Sequence, residues 1–425
     1  MTATTPEAPD EAPAASAPRL LAAPADGVPP IVDTPAALAE AVAALAAGHG
    51  PLAVDTERAQ SFRYSAKAYL IQLRRAGAGT VLVDPVAFEG DADRADLSGP
   101  AEALAHVEWV IHAAQQDLPC LAEVKLLPRR LFDTELAGRL LGFPRVSLTS
   151  LTERALGTTL AKEHSAADWS KRPLPTEWLS YAALDVELLA DLREWVAAEL
   201  ERAGKEEWAR QEFDFLVRHA ADPPSRRDEP WRRTSGVHEL RYRGQLAVVR
   251  ALWEARDEIA RRIDRAPGRV LPDAAIIELA ARVPRGGSIT LTRDDLREVR
   301  GFGWRLAARF EREFVEALQQ AAALDRADWP AASVTPEGPP PPRTWGRRFP
   351  EAFARWNRLR PATLHLAETL QLPVENLIAP DALRRLAWEP PADPSPESVD
   401  AFLAERLARP WQRAHVVPVV SPLLG

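Results

Sequence analysis

Pro51-Leu-Ala-Val-Asp-Thr-Glu57 is an apolar run that ends in two carboxylates one residue apart. A strand alternates its side chains, so Asp55 and Glu57 leave one face of whatever sheet holds them. Two like charges converging at a strand end raise each other's pKa unless a cation lies between them. A solvated Asp-x-Glu pair is common at strand ends, so this pair takes its meaning from what surrounds it.

Outward from it, Tyr69–Leu73 and Thr80–Val83 are further short apolar runs separated by polar or Gly-containing turns, and Trp109–His112 is a fourth. They read as strands. Upstream, Thr34 caps a helix with Pro35 in its first position, Leu38, Val42 and Leu45 on one face, and Gly48 at its end. From Gln115 the pattern turns helical, ending in one long segment, Thr176–Leu200, that buries Leu184, Leu188, Leu192 and Trp195. The fold class expected is α/β, a mixed sheet with helices on both faces, followed by all-α blocks.

Two more acids belong to the same reading. Asp117 begins a helix after Trp109–His112, where a carboxylate more often serves the helix dipole than a ligand. Tyr181 and Asp185 sit four apart and share a helix face that continues into Trp178, Leu184 and Leu188. An acid bordering a buried stripe must be paired, metal-bound or able to reach water. As a group, these oxygen donors suit Mg²⁺ or Mn²⁺, and the chain's histidines show no zinc-ligand spacing. Two such ions about 4 Å apart activate water and stabilise a leaving 3′ oxygen at a phosphodiester. A tyrosine beside them can orient the water.

In these motifs the chain resembles the RNase D branch of the DEDD exonuclease superfamily, in its tyrosine subtype. The carrying residues are Leu52-Ala-Val-Asp-Thr-Glu57, Tyr69-Leu-Ile-Gln-Leu73, Val110-Ile-His-Ala-Ala-Gln-Gln-Asp-Leu118, Phe132-Asp-Thr-Glu-Leu-Ala137, Asp168-Trp-Ser-Lys-Arg-Pro-Leu174 and Tyr181-Ala-Ala-Leu-Asp185. The resemblance implies an RNase H-like fold, two divalent metal ions, and hydrolysis from the 3′ end releasing 5′ mononucleotides. It makes Asp55, Glu57, Asp117 and Asp185 metal ligands, Tyr181 the residue that positions water, and His112 and Gln116 neighbours of the substrate.

Around Asp168-Trp169, the basic residues Lys162, Lys171 and Arg172 suggest phosphate contacts, with Trp169 stacking on a base. The competing readings are a buried Trp169, which is the one expected, and a structural salt bridge for Arg172. Residues His238–Leu324 resemble an HRDC domain, through Leu252-Trp-Glu-Ala-Arg-Asp-Glu-Ile-Ala260, Arg269-Val-Leu-Pro-Asp273 and Gly301-Phe-Gly303. Arg256, Arg261, Arg262, Arg265 and Arg269 give it a basic side, and Arg256 and Arg262 are its candidate nucleic-acid contacts. Val270–Ala280 aligns without gaps on Leu377–Ala387, so the last block reads as a divergent second copy, structural more than binding. The expected division is a disordered tail (1–29), the exonuclease domain (30–220), a linker (221–236), the HRDC domain (237–326), a Pro-rich linker (327–343) and the second helical domain (344–425).

Composition bounds the rest. Apolar residues form 46% of the 425-residue chain and charged residues 27%, the balance of a water-soluble protein. One cysteine, Cys120, excludes an intramolecular disulfide and suits a reducing cytoplasm. No run reaches the length of a membrane-spanning helix. The net charge of −8 speaks against a nucleic-acid partner only as a sum, since catalytic acids offset basic patches. The expected partner is RNA, such as the 3′ end of a tRNA precursor, acted on by a monomer. A DNA exonuclease and a non-catalytic RNA-binding scaffold are the alternatives. The intact acids favour hydrolysis, and the sugar preference is not written in the motifs.

Overall fold

In the computed structural model of the chain, residues 17–90, 94–161, 166–223, 228–333 and 338–425 are described. Among these are β1 (Arg19–Leu21), β2 (Ile31–Val32), β3 (His49–Arg58), β4 (Ala68–Ala76), β5 (Gly79–Val83), β6 (Glu108–Ile111), β7 (Arg130–Asp133) and β8 (Thr158–Leu160). Six form one sheet in the order β2-β5-β4-β3-β6-β7. The β3–β4 and β4–β5 pairs are antiparallel, while β2–β5, β3–β6 and β6–β7 are parallel. The sheet is therefore mixed, and β3 lies inside it with Leu52, Ala53 and Val54 fully buried. Gly77 and Gly79, at φ of 86° and 77°, make the tight turn between β4 and β5.

Helices α1 (Pro35–Ala47), α2 (Ser98–Ala103), α3 (Leu118–Glu123), α4 (Thr134–Leu140), α5 (Leu148–Leu156), α6 (Thr176–Glu187), α7 (Leu189–Arg202) and α8 (Glu206–His219) complete this domain. Thr34 caps α1 as its sequence requires, accepting from the backbone N–H of Ala37. The segment expected as one helix from Thr176 to Leu200 is two, broken at Leu188. The apolar stripe runs through the break, so periodicity could not reveal it. The tail expectation also needs correction. Residues 19–21 of the segment 1–29 form β1, paired in parallel with β8, and residues 1–16 lie outside the described residues.

Among the described residues no strand follows, and the helices are α9 (Arg243–Arg262), α10 (Pro267–Val270), α11 (Asp273–Ala281), α12 (Arg293–Glu298), α13 (Arg305–Arg309) and α14 (Glu311–Ala323), then α15 (Trp345–Arg348), α16 (Pro350–Thr369), α17 (Val374–Leu377), α18 (Pro380–Trp388), α19 (Pro396–Ala404) and α20 (Pro410–Val420). Both linker expectations are too wide. Trp231 is buried in the core of the first helical block, and Trp329 packs against α9 at Gly244.

The register between the blocks persists in the helices. Helices α16, α17 and α18 have the lengths of α9, α10 and α11 and start 107 positions later (350 and 243, 374 and 267, 380 and 273). In each block a non-glycine residue in the left-handed region turns the chain after the long helix, Asp264 at φ 45° and Gln371 at φ 51°, again 107 apart.

The blocks differ in what they pack against. The first keeps its own core, built on Leu252, Ile259, Ile276, Leu279 and Phe314. In the last, Trp345, Leu359, Leu386, Trp411 and Val420 belong to the apolar cluster that contains Val54, Leu192 and Phe213 of the sheet domain.

Candidate active site

β6 pairs with β3 only as far as Val54, opposite Ile111, so the strand end bearing Asp55 and Glu57 projects past its parallel neighbour. Helix α6 crosses beside β3, β4 and β5 and brings Asp185 to them. Asp55, Glu57 and Asp185 each offer an oxygen within 4.8 Å of the others, and among the described residues this is the one cluster of metal-ligating side chains.

Asp117 stands just outside that triplet. The stretch Ala113–Asp117 leaves β6 through a left-handed residue, Ala113, whose amide and that of Ala114 are held by the buried carboxylate of Asp133 at 3.1 and 2.8 Å. Asp133 also caps α4. Sequence reasoning passed over it as part of a helix start, and the Phe132-Asp-Thr-Glu135 capping pattern was its only signal. Thr56, on the opposite side of β3 from its two acidic neighbours, donates to Asp117 Oδ1 at 2.6 Å. Arg58 donates to the Gln116 carbonyl at 2.6 Å and lies 4.0 Å from Asp117.

Burial and mutual repulsion of the carboxylates dominate the electrostatics of the site. Burial and the charges of Asp117 and Asp185 hold Asp55 well above the usual carboxylate range. Burial, then Asp55, Asp185 and Asp117, push Glu57 up to about 10. Burial raises Asp117 to about 6 against its bond from Thr56, and raises Asp185 to about 7 against its bond from Tyr181. Arg58 is the basic group that offsets Asp55, Glu57 and Asp117. Tyr181 is itself raised by burial and by these acids, so its hydroxyl keeps its proton. Gln72, opposite Asp55 in the β3–β4 ladder, is fully buried with neither amide atom hydrogen-bonded. An all-oxygen donor set, excess buried negative charge and an orphaned polar group beside it fit divalent cations.

The other expected residues divide. Trp169 is fully buried, its ring 5.3 Å from Trp178 and 6.5 Å from Tyr181, so it supports α6 and cannot stack on a base. Arg172 spends all five N–H donors inside the chain, on both Asp84 oxygens and the carbonyls of Tyr69, Trp169 and Lys171, at 2.6 to 2.9 Å. It is a structural tie and not a phosphate contact. Arg256 is buried and paired with Asp273 at 2.6 Å, which likewise removes it from the surface. Arg262 is exposed but paired with Glu313 at 3.2 Å. The His112 ring meets Thr134 at 2.9 Å, and burial lowers its pKa to about 4, so it is a neutral packing residue. Gln116 and Lys171 are exposed on the rim, and Lys162 lies outside the described residues.

A second contact near the acids was not foreseen. The loop after Glu57 is clasped by the corner between α9 and α10. Asp264 accepts from the amides of Tyr64 and Ser65 at 3.1 and 2.9 Å and pairs with Arg63 at 3.8 Å. Tyr64 donates to Asp257 at 3.0 Å, Ala266 N donates to the Phe62 carbonyl at 3.1 Å, and Arg269 donates to the Ser61 carbonyl at 2.7 Å. Residues Thr56–Phe62, with Ala166 and Ala167, line a polar cavity of about 160 Å³ on the way to the acids.

A mixed sheet carrying clustered acids at a strand end, with a tyrosine one turn from the last of them, defines the 3′–5′ exonuclease class. A family model so described, "3'-5' exonuclease", matches residues 29–201, an "HRDC domain" model matches 245–318, and a "3' to 5' exonuclease C-terminal domain" model matches 338–424. A ribonuclease D of Acidiphilium cryptum is 34% identical over 74% of this chain and 77% of its own length, and one of Gluconacetobacter diazotrophicus is 31% identical over 68% and 71%. The chain belongs to the ribonuclease D family and is a 3′-to-5′ exoribonuclease. Among solved structures, a protein from Bifidobacterium adolescentis is 41% identical with a TM-score of 0.84 over 96% of this chain and 99% of its own. The fold also matches Escherichia coli RNase D, at 22% identity and TM-score 0.65 over 93% and 98%.

Proposed function

We propose that Asp55, Glu57 and Asp185, with Asp117 completing the set, hold two divalent ions, Mg²⁺ or Mn²⁺, at which the 3′-terminal phosphodiester of an RNA is hydrolysed to a 5′ mononucleotide. The single observation that carries this is the triplet of carboxylates, Glu57 buried and Asp55 and Asp185 half-buried, whose oxygens lie within 4.8 Å of one another. When bound, the ions supply a nucleophilic water at neutral pH and charge stabilisation for the leaving 3′ oxygen. The chain's own part is positional. Asp185 accepts from the Tyr181 hydroxyl, which keeps its proton and is placed to orient the attacking water. Thr56 and Arg58 fix Asp117 and the backbone around it. Trp169 and Arg172 hold α6 and the preceding loop against the sheet, so that Tyr181 and Asp185 meet β3 in register.

The substrate we propose is the 3′ end of a structured RNA such as a tRNA precursor. The solved Escherichia coli RNase D is described as an exoribonuclease involved in structured RNA processing, which supports this reading. We assign the catalytic domain to about 30–220 and a second helical copy to about 344–425. The test is shortening of a 5′-labelled RNA with Mg²⁺ or Mn²⁺ against a chelator. Asp55→Ala should abolish the ladder, and Tyr181→Phe should lower kcat about a hundredfold while metal binding persists. A Tyr181→Phe enzyme of undiminished kcat would remove the tyrosine from the chemistry, and an active Asp55→Ala enzyme would sink the metal site.

A further inference from the structure

Four of the five arginines expected to make the first helical block a nucleic-acid grip are spent. Arg256 is buried on Asp273, Arg261 pairs with Glu258, Arg262 with Glu313, and Arg269 is bound to the Ser61 carbonyl with its guanidinium over the Phe62 ring. A different stretch of the block is unspent. Trp304, at the start of α13, is 46% exposed. Arg300, Arg305 and Arg309 around it in the chain are exposed as well, and among the described residues none of them enters an ion pair, while Arg282, Arg293, Arg297 and Arg312 of the same block all do. Gly303, beside Trp304, has open space where a side chain would stand, which leaves its backbone approachable.

The second block shows what this tryptophan position does when it has a partner. Trp411 follows Trp304 by the same 107 positions that separate the helices, and it is 3% exposed. It stacks on Trp208 of the catalytic domain at 4.7 Å, donates to Glu212 at 2.8 Å, and its neighbour Arg409 pairs with the same carboxylate. In one copy an aromatic with an adjacent arginine docks on an aromatic and an acid. In the other, Trp304 faces solvent with no stacking partner among the described residues, beside Arg300 and Arg305 in no ion pair and Arg309 held only against the Phe310 ring.

Its place in the molecule selects the occupant. Helix α13 packs on α10, and the α9–α10 corner holds the loop Ser61–Ser65, which leads directly from Glu57. The exposed surface thus adjoins the clasp at the mouth of the acid cluster. We propose that Trp304, Arg300, Arg305 and Arg309 form a binding site for single-stranded RNA upstream of the cleaved 3′ end, with a base stacked on the indole and phosphates held by the guanidiniums. Unpaired positive charge beside an exposed aromatic fits a polyanion whose bases have flat faces. The inference rests on a strand threading to the acids as the proposed function has it.

The test uses the full-length protein in EDTA, so that binding is read without hydrolysis. Fluorescence anisotropy with a 5′-fluorescein single-stranded RNA 20-mer should show Kd weakened about five- to a hundredfold in Trp304→Ala and largely restored in Trp304→Phe. Arg305→Ala combined with Arg309→Ala should flatten the dependence of log Kd on log salt by about 0.7 per charge removed. With divalent metal added, kcat/KM on the 20-mer should fall in these variants while turnover of a five-nucleotide RNA stays at the wild-type value. Equal losses on both lengths, or an unchanged Kd, would overturn the site. So would a wild-type protein that sediments as a complex of two copies which Trp304→Ala dissolves, because the surface would then be a protein contact. A wild-type protein that shortens neither RNA would instead sink the exonuclease reading, which the EDTA measurement does not involve.

Discussion

The two helical blocks share the lengths and spacing of three successive helices, yet one is a neighbour of the catalytic domain and the other is part of its core. The first encloses its own apolar cluster and meets the loop after Glu57 through hydrogen bonds, an ion pair and a cation–π contact from α9 and its corner with α10. The second contributes Trp345, Leu359 and Trp411 to the cluster beneath the sheet, and buried Lys205 binds the carbonyls of Leu140, Leu370 and Gln371 across the seam. Both blocks dock through the residue in the left-handed corner, by the side chain of Asp264 in one and by the backbone of Gln371 in the other. Apolar fusion makes a fixed scaffold. A polar clasp holds a loop beside the acids without joining the two cores.

The largest effect should separate the two tryptophans. Trp411→Ala removes a buried stack and a hydrogen bond to Glu212, and denaturant unfolding should report a loss of about 3–5 kcal/mol. Trp304→Ala, at the matching exposed position, should stay within about 0.5 kcal/mol. Equal losses would break the comparison.

A somewhat smaller effect should come from pH. Asp117 and Asp185, at about 6 and about 7 in the folded protein, hold their protons more tightly than unfolded carboxylates near 4. In metal-free protein the contribution of these two groups is therefore fully present below about pH 4, and about a few kcal/mol is lost as pH rises through 7. Divalent metal should restore the loss, so its shift of Tm should be larger at pH 8 than at pH 5. If the cores are separate as drawn, calorimetry should place this response in the transition of the catalytic domain and second block together. A first-block transition moving with it would mean that the clasp couples them more firmly than hydrogen bonds suggest.

The smallest effect concerns the corners. Asp264→Ala should leave Tm almost unchanged but lower kcat/KM on RNA about tenfold, as the loop after Glu57 loses its anchor. Asp264→Asn, which keeps an acceptor for the Tyr64 and Ser65 amides, should recover most of it. Gln371→Ala should affect neither quantity, because only its carbonyl is used. Loss of activity in Gln371→Ala would show that its side chain has a role the contacts do not reveal.

Much of the acid cluster was legible because its paired side chains obey local geometry. The i, i+2 spacing of Asp55 and Glu57 on a strand and the i, i+4 spacing of Tyr181 and Asp185 on a helix place each pair on one face wherever the element goes. Other parts were not legible for equally physical reasons. Asp133 acts through amides 19 and 20 positions away, and Asp264 through amides about 200 away. The break at Leu188 hides under an uninterrupted stripe of leucines. β1 is three residues in an Ala- and Pro-rich segment, and it exists only because β8 offers an edge.

Arginine marks the boundary between the two kinds of knowledge. From the sequence alone came the class of fold, the acids, the tyrosine, and the register in which two helical blocks repeat, since all of these are set by residue type and short-range periodicity. Only the tertiary structure decided that Arg172 and Arg256 are consumed internally and that Trp411 is buried while Trp304 is not. A guanidinium or an indole looks the same in sequence whether its partner is a carboxylate 88 positions away, as for Arg172 and Asp84, or a ligand from outside. Which of these it meets depends on the long-range packing that determines burial.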